Sequence, residues 1–270
     1  MSGVEPRWRL RHGWPAKLVR RIVPAKWRPI GYLEGKTYAD VGGRVYGGPF
    51  KGTKYLRRAF GSAYIPKLLG IYESELHDVI DRICELKSRV IVDIGAAEGY
   101  YAVGLALRNP QAKVYAFEAV EEARCLLMEL RAINGVDAHV EILGRCERPD
   151  LQEILEQHES SVIICDCEGC EVMLLDPLRA PALRRAHVLV EVHDYILAGI
   201  SEELSGRFGD THNIREIWQV ERRIEDYPFR SAYLALLPRG YLRWAVNEWR
   251  PYQMSWLWME PKVAGAWGSS

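Results

Sequence analysis

Between residues 89 and 192 the chain alternates short apolar runs with stretches of helical period. This alternation constrains the fold more than any other feature. The runs are Arg89–Ile94 (RVIVDI), Lys113–Glu118 (KVYAFE), His139–Leu143, Val162–Asp166 (VIICD) and Val188–Val192 (VLVEV). Each has the length of one strand. Several are apolar at consecutive positions, as in strands buried on both faces of a parallel sheet. Tyr100–Leu107, Glu121–Ile133 and Leu151–Gln157 fit helices between them. The order is that of an α/β, doubly wound, Rossmann-like sheet. Upstream, Leu76, Val79, Ile80, Ile83 and Leu86 fall on one face of a helix over Ser74–Leu86, with Ser74 placed to cap it. Downstream, Ser255–Glu260 (SWLWME) alternates and predicts a late antiparallel strand.

The first 65 residues lack this pattern. They read as a basic N-terminal extension with short elements, ahead of a domain spanning 66–270. Pro24 and Pro29 interrupt any long helix there. Formal net charge is zero over 270 residues, but residues 1–70 carry 15 Lys and Arg against 3 Asp and Glu. Such an arm, with Trp8, Trp14 and Trp27 among its basic residues, suits an anionic partner or the acidic remainder of the chain, in the same or a second copy. No apolar run is long enough to span a membrane, and no apolar signal core is seen. The six cysteines do not resemble a secreted disulfide scaffold, so a reduced, cytoplasmic setting is expected.

In an open parallel sheet, ligands bind at the carboxyl ends of the strands. The first strand ends in Asp93 and runs through Gly95, Ala97 and Gly99 into a helix. Small residues admit a ligand close to the backbone, and the helix start offers free N–H groups. A dinucleotide fingerprint, G-x-G-x-x-G, fails here, because Ala97 and Tyr100 stand where its second and third glycines belong. Glu98 would also oppose a pyrophosphate. A methyl donor without a pyrophosphate suits the acidic D-x-G-x-x-x-G loop better. Glu118, at the end of the second strand, is placed to accept hydrogen bonds from two ribose hydroxyls.

Four segments in order, VDIGAAEGYYA, YAFEA, CDCEGCEVMLL and VEVHD, resemble the successive motifs of FkbM-type methyltransferases. The resemblance covers about residues 65–262 and includes Asn247–Pro251 and SWLWMEPK. It implies a class I fold with a mostly parallel seven-stranded sheet, S-adenosyl-L-methionine as cofactor, and transfer of a methyl group, usually to a hydroxyl oxygen. It also implies that Asp93, Gly95, Ala97 and Gly99 surround the methionine part of the cofactor. Glu118 would hold the ribose, Arg145 and Cys146 would lie near the adenine, and Asp166 would face the reaction centre. Tyr72 and Glu73 fall in a segment that would close over the cofactor. Ala97 departs from the glycine of many class I enzymes, at little cost if its φ is negative. Cys165, Cys167 and Cys170 flank the acidic motif and depart from a simple copy of the site.

Methyl transfer to a hydroxyl gains from a base. Asp166, Glu168 and His193 are the candidates, at the ends of neighbouring strands. No resident metal is expected, although two ligand sets exist in the sequence. Asp166, Glu168, Glu191, His193 and Asp194 would suit magnesium, and Cys165, Cys167 and Cys170 with His193 would suit zinc. The acceptor class most in keeping with this reading is a small metabolite or saccharide. An RNA-directed enzyme gripping its substrate through the basic arm is the alternative, as is a non-catalytic cofactor-binding protein. A homo-oligomer is compatible with either.

Overall fold

A computed structural model describes residues 29–158, 160–230, 239–250 and 252–262. The tryptophans of the basic arm (Trp8, Trp14 and Trp27) and Pro251 lie outside these residues. The chain divides into two compact units. One comprises residues 1–74 and 220–253, the other 75–219 and 254–270. The division expected after residue 65 therefore falls inside the first unit.

The second unit contains the sheet. Its elements are α3 (His77–Glu85), β1 (Val90–Ile94), α4 (Tyr100–Arg108), β2 (Lys113–Phe117), α5 (Glu121–Asn134), β3 (Val140–Leu143), α6 (Arg148–Glu156), β4 (Ser161–Cys165), α7 (Glu171–Leu174), β5 (His187–Val192), α8 (Ile200–Phe208), β6 (His212–Trp218) and β7 (Ser255–Pro261). The seven strands lie in the order β3-β2-β1-β4-β5-β7-β6. The first five are parallel, and β7 runs antiparallel between β5 and β6. The result is the doubly wound, mostly parallel sheet expected of a class I, Rossmann-like fold. Every residue of β1 and β4 is buried, in keeping with their mostly apolar sequences.

One core layer packs Val90, Val92 and Ile94 of β1 with Ile163 and Cys165 of β4 and Val188 and Val190 of β5. Leu151 and Leu155 of α6 and Leu204 and Phe208 of α8 cover it. The helix predicted over Ser74–Leu86 begins as a single 3-10 turn, Ser74–Leu76, before α3. Leu76 is the cap of α3, so Ser74 does not cap it. The late strand runs antiparallel as predicted. The sequence reading missed β6, whose residues are mostly half-buried or exposed.

The first unit has its own small core. Helix α1 (Pro29–Asp40) starts at a proline, as the fixed φ of that residue allows at a helix start. Leu33 of α1 packs with Ile65 and Leu69 of α2 (Tyr64–Leu69), with Tyr227, and with Ala245 and Val246 of α9 (Arg239–Val246). A distant segment thus completes the interior of the N-terminal part. A buried ionic network joins the two segments. Arg222 Nε donates to Glu248 Oε1 at 2.8 Å, and Arg250 Nε donates to Glu248 Oε2 at 3.2 Å. Arg250 also pairs with Glu73, whose backbone N–H donates to Glu248 Oε1 at 3.0 Å. All four side chains are nearly solvent-free. Among the described residues no helix is long and apolar enough to cross a membrane.

Removing one member of a buried charge network strands the others. Glu248→Ala is expected to cost about 3–5 kcal/mol in urea denaturation. A second expectation concerns acid. His212 is buried, its Nε2 at 2.9 Å from the Ala186 carbonyl, and burial lowers its pKa below 6.5. Burial lowers that of His187 as well. The unfolded chain takes up protons at these sites first, so stability falls as pH drops from about 6.5 through the folded values. His212→Gln should flatten that slope in pH-dependent denaturation.

Candidate functional site

The site is built at the carboxyl ends of β1, β2, β4 and β5, all in the second unit. After β1, the N–H groups of Gly95 and Ala96 donate to the Phe117 carbonyl of β2 at 2.9 and 3.0 Å. Gly95 takes a φ of 85°. A Cβ on Gly95 would lie 1.8 Å from the Asp166 carbonyl, so the strand-end loops of β1 and β4 pass too closely for any side chain there. Gly99 (φ 97°) caps α4 and faces Leu127, which a Cβ would meet at 2.2 Å. Tyr100 then opens α4, whose first N–H groups have no partner within the helix.

Ala97 has a φ of 47°, so the condition of a negative φ is not met. The left-handed conformation of a non-glycine residue costs about 1–2 kcal/mol. Its cause is visible: it turns the Ala97 N–H toward Glu118 Oε2, at 2.8 Å. The other carboxylate oxygen, Oε1, accepts from Val120 N–H at 2.7 Å. Glu118 is only 8 % exposed and fastens the β1 loop to the end of β2. Asp93, near the end of β1, and Glu98, in the loop that follows, are also buried.

At the ends of β4 and β5 a second group of side chains converges. The register pairs Ile164 with Leu189 and Cys165 with Val190, which brings positions 166 and 191 opposite each other. His193, 2 % exposed, is at the centre. Its Nδ1 lies 2.6 Å from Glu171 Oε1, and its Nε2 lies 3.5 Å from both Asp166 Oδ1 and Glu191 Oε2. Glu171 is fully buried at the start of α7, where its Oε1 also accepts from Gly169 N–H at 3.1 Å. Burial opposes a charged imidazole, but the bond to Glu171 and the nearby carboxylates outweigh it, so the His193 pKa is raised. The Asp166 side chain is about one-third exposed and is the accessible edge of the cluster.

The structure thus gathers Asp166 and His193, as the sequence suggested, but leaves Glu168 exposed on a turn with φ 50°. Sequence reasoning gave no role to Glu171. Its signal was present in CDCEGCEVMLL, but only the adjacency of β4 and β5 shows that it meets His193. Arg145 is largely exposed and pairs with Glu147 at 3.4 Å. Cys146 is buried, which pushes its thiol up to about 12. Cys165 and Cys167 face each other at 3.6 Å, and that contact together with burial holds Cys165 well above the usual thiol range. Among the described residues no cysteine joins the His193 cluster, so the zinc set is not assembled.

In the first unit, Glu73 is engaged by Arg250, and Lys67 Nζ lies 4.9 Å from the Tyr72 ring centroid. That unit also holds a cleft of about 310 Å³ lined by Arg57, Arg58, Trp244, Asn247 and Trp249, with the two indole centroids 5.0 Å apart.

No family model matches this chain, and no curated protein does. Solved structures do. The cofactor-bound Rv0187 from MTB is 12% identical, with 95% of this chain and 98% of that one covered and a TM-score of 0.47. An rRNA methylase from Streptococcus thermophilus is 14% identical over 69% and 96% of the two chains, at a TM-score of 0.43. A precorrin-6y C5,15-methyltransferase from Geobacter metallireducens is 10% identical over 68% and 87%, also at 0.43. The fold of this chain rests on its own strand order, and its site on its own geometry.

The loop geometry sets an expectation for Gly95→Ala. The added methyl must push the β1 and β4 loops apart and adopt a φ that alanine disfavours. A stability loss of about 2 kcal/mol or more should appear in thermal or urea unfolding.

Proposed function

We propose that this chain is an S-adenosylmethionine-dependent methyltransferase that methylates a hydroxyl oxygen of a small metabolite or saccharide. The observation that carries the reading is the joining of a small-residue loop to a buried carboxylate at the next strand end, Ala97 N–H to Glu118. The donor set fits the cofactor. Asp93, Glu98 and Glu118 line or anchor the loop, so it suits a cationic sulfonium and would repel a pyrophosphate. The bound cofactor supplies a methyl group on positively charged sulfur.

The protein's part is alignment. Each Glu118 oxygen accepts one backbone N–H, and a carboxylate can accept about four hydrogen bonds, so capacity remains for two ribose hydroxyls. Gly95 keeps the backbone close to the ligand. Arg145 and Cys146 are the residues assigned to the adenine end. Asp166, the accessible member of its cluster, is the group that receives the acceptor's proton. His193 is buried behind it and acts through it as a positioning residue, with Glu171 holding the imidazole. Glu168, on the neighbouring turn, is a candidate contact for the acceptor. Membership of the FkbM-type family belongs to the same reading and is supported by the four ordered motifs.

Calorimetric titration with S-adenosylhomocysteine tests the cofactor assignment. One-to-one binding is expected, weakened at least about tenfold by Glu118→Ala, or about 1.4 kcal/mol. Absence of heat with the wild-type chain overturns it. With a labelled methyl donor and a panel of hydroxylated metabolites and saccharides, Asp166→Asn should lower kcat by about 10²–10⁴. Unchanged turnover removes the role given to Asp166.

A further inference from the structure

The carboxylates around His193 exceed what orienting one imidazole requires. Glu171 alone fixes Nδ1, at 2.6 Å. Asp166 and Glu191 both turn to the opposite nitrogen, each 3.5 Å from Nε2. One atom from each of Asp166, Glu191 and His193 lies within 4.8 Å of the others. Bonds from nitrogen or oxygen to a divalent metal run about 2.0–2.2 Å, so two neighbouring ligands of one ion stand about 3–3.6 Å apart. Both 3.5 Å separations fall in that range.

Burial strengthens the argument. Glu191 is 3 % exposed, and it extends from a strand whose other residues are apolar or half-buried. Burying carboxylates costs several kcal/mol each unless cationic partners compensate. Glu171 is fully buried, and its second oxygen, Oε2, has no hydrogen-bond partner among the described residues. Asp166 and Glu191 bring carboxylate oxygens to the Nε2 side of the imidazole, and this is the oxygen and nitrogen donor set that a divalent cation takes.

We propose that Asp166, Glu191 and His193 form a divalent-cation site, with Glu171 fixing the imidazole so that Nε2 faces the ion. The arrangement has the logic of a carboxylate–histidine–metal triad: Nδ1–H donates to Glu171, which sets the tautomer and the ring plane. Two carboxylates with one imidazole suit manganese or magnesium better than a soft ion. Three protein ligands leave coordination positions open, and the partly exposed Asp166 marks the side from which they are reached. What occupies them rests on the methyl-transfer reading. There, an acceptor hydroxyl bound to the ion loses its proton more readily, and Asp166, ligating through one carboxylate oxygen, receives that proton on the other.

The site is testable without cofactor or acceptor. The full chain, stripped with a chelator and dialysed, is titrated with MnCl2 while free Mn2+ is read by electron paramagnetic resonance. One Mn2+ per chain is expected. Asp166→Asn and Glu191→Gln should each weaken binding at least about tenfold, and Glu171→Gln about 10–100-fold through the imidazole. Bound Mn2+ should show a nitrogen coupling in spin-echo spectra, lost in His193→Gln. Asp194→Asn, whose carboxylate is bonded to Ser201, should bind as the wild type does. Circular dichroism checks that each variant folds, and Asp166→Asn, at the accessible edge, is the variant least dependent on core packing. Absence of Mn2+ binding below about 1 mM, or binding with no nitrogen coupling, overturns the site. So does wild-type affinity in folded Asp166→Asn and Glu191→Gln. Metal binding without S-adenosylhomocysteine binding would uphold the site and remove the methyl-transfer reading. The reverse result would do the opposite.

Discussion

β1 is hydrogen-bonded to β2 on one side and to β4 on the other, all in parallel, and everything at the site depends on that double pairing. Parallel strands end at the same edge of the sheet, so their following loops must share one small region. The crowding is measurable: the Asp166 carbonyl occupies the place where Gly95 would carry a side chain. The same crowding puts the Glu118 carboxylate within reach of the Ala97 N–H. A hydrogen bond across two strand ends then holds a strained alanine in the left-handed region. Close packing and strain at this edge have one origin.

The two acidic centres of the second unit differ in how they are satisfied. Glu118 is held by backbone donors, one N–H on each carboxylate oxygen. The His193 cluster relies on side chains, and its members come from α7 and from the ends of β4 and β5. The register of β4 with β5 brings its members together, so a slip of one residue would turn Glu191 to the other face of the sheet. Small shifts in strand pairing would therefore dismantle this centre while leaving the hydrophobic layer largely populated.

Much of the sheet was legible because its central strands are buried on both faces and carry mostly apolar sequence. β6 was not, since HNIREIW has no clean alternation or apolar run. The small core of the first unit was hidden for a different reason. Leu33, Ile65 and Leu69 are meaningful only beside Tyr227, Ala245 and Val246, and no local pattern links positions so far apart. Asp93, Gly95 and Glu118 could be singled out because each stands at a strand end. Glu171 could not, because its importance comes from a buried imidazole 2.6 Å away that belongs to another strand's end.

The path from β6 to β7 carries a further consequence. Residues 220–253 leave the sheet after Gln219 and return at Met254, and the Gln219 N–H donates to the Met254 carbonyl at 3.0 Å. The two ends of this insertion are already held together by the β6–β7 ladder, so its length adds little closure entropy to the sheet. A hairpin turn of a few residues would satisfy the same two strands. The β6–β7 pairing therefore sets no length for this segment. Its interior is set instead by the N-terminal segment it packs with, through Leu33, Ile65 and Leu69.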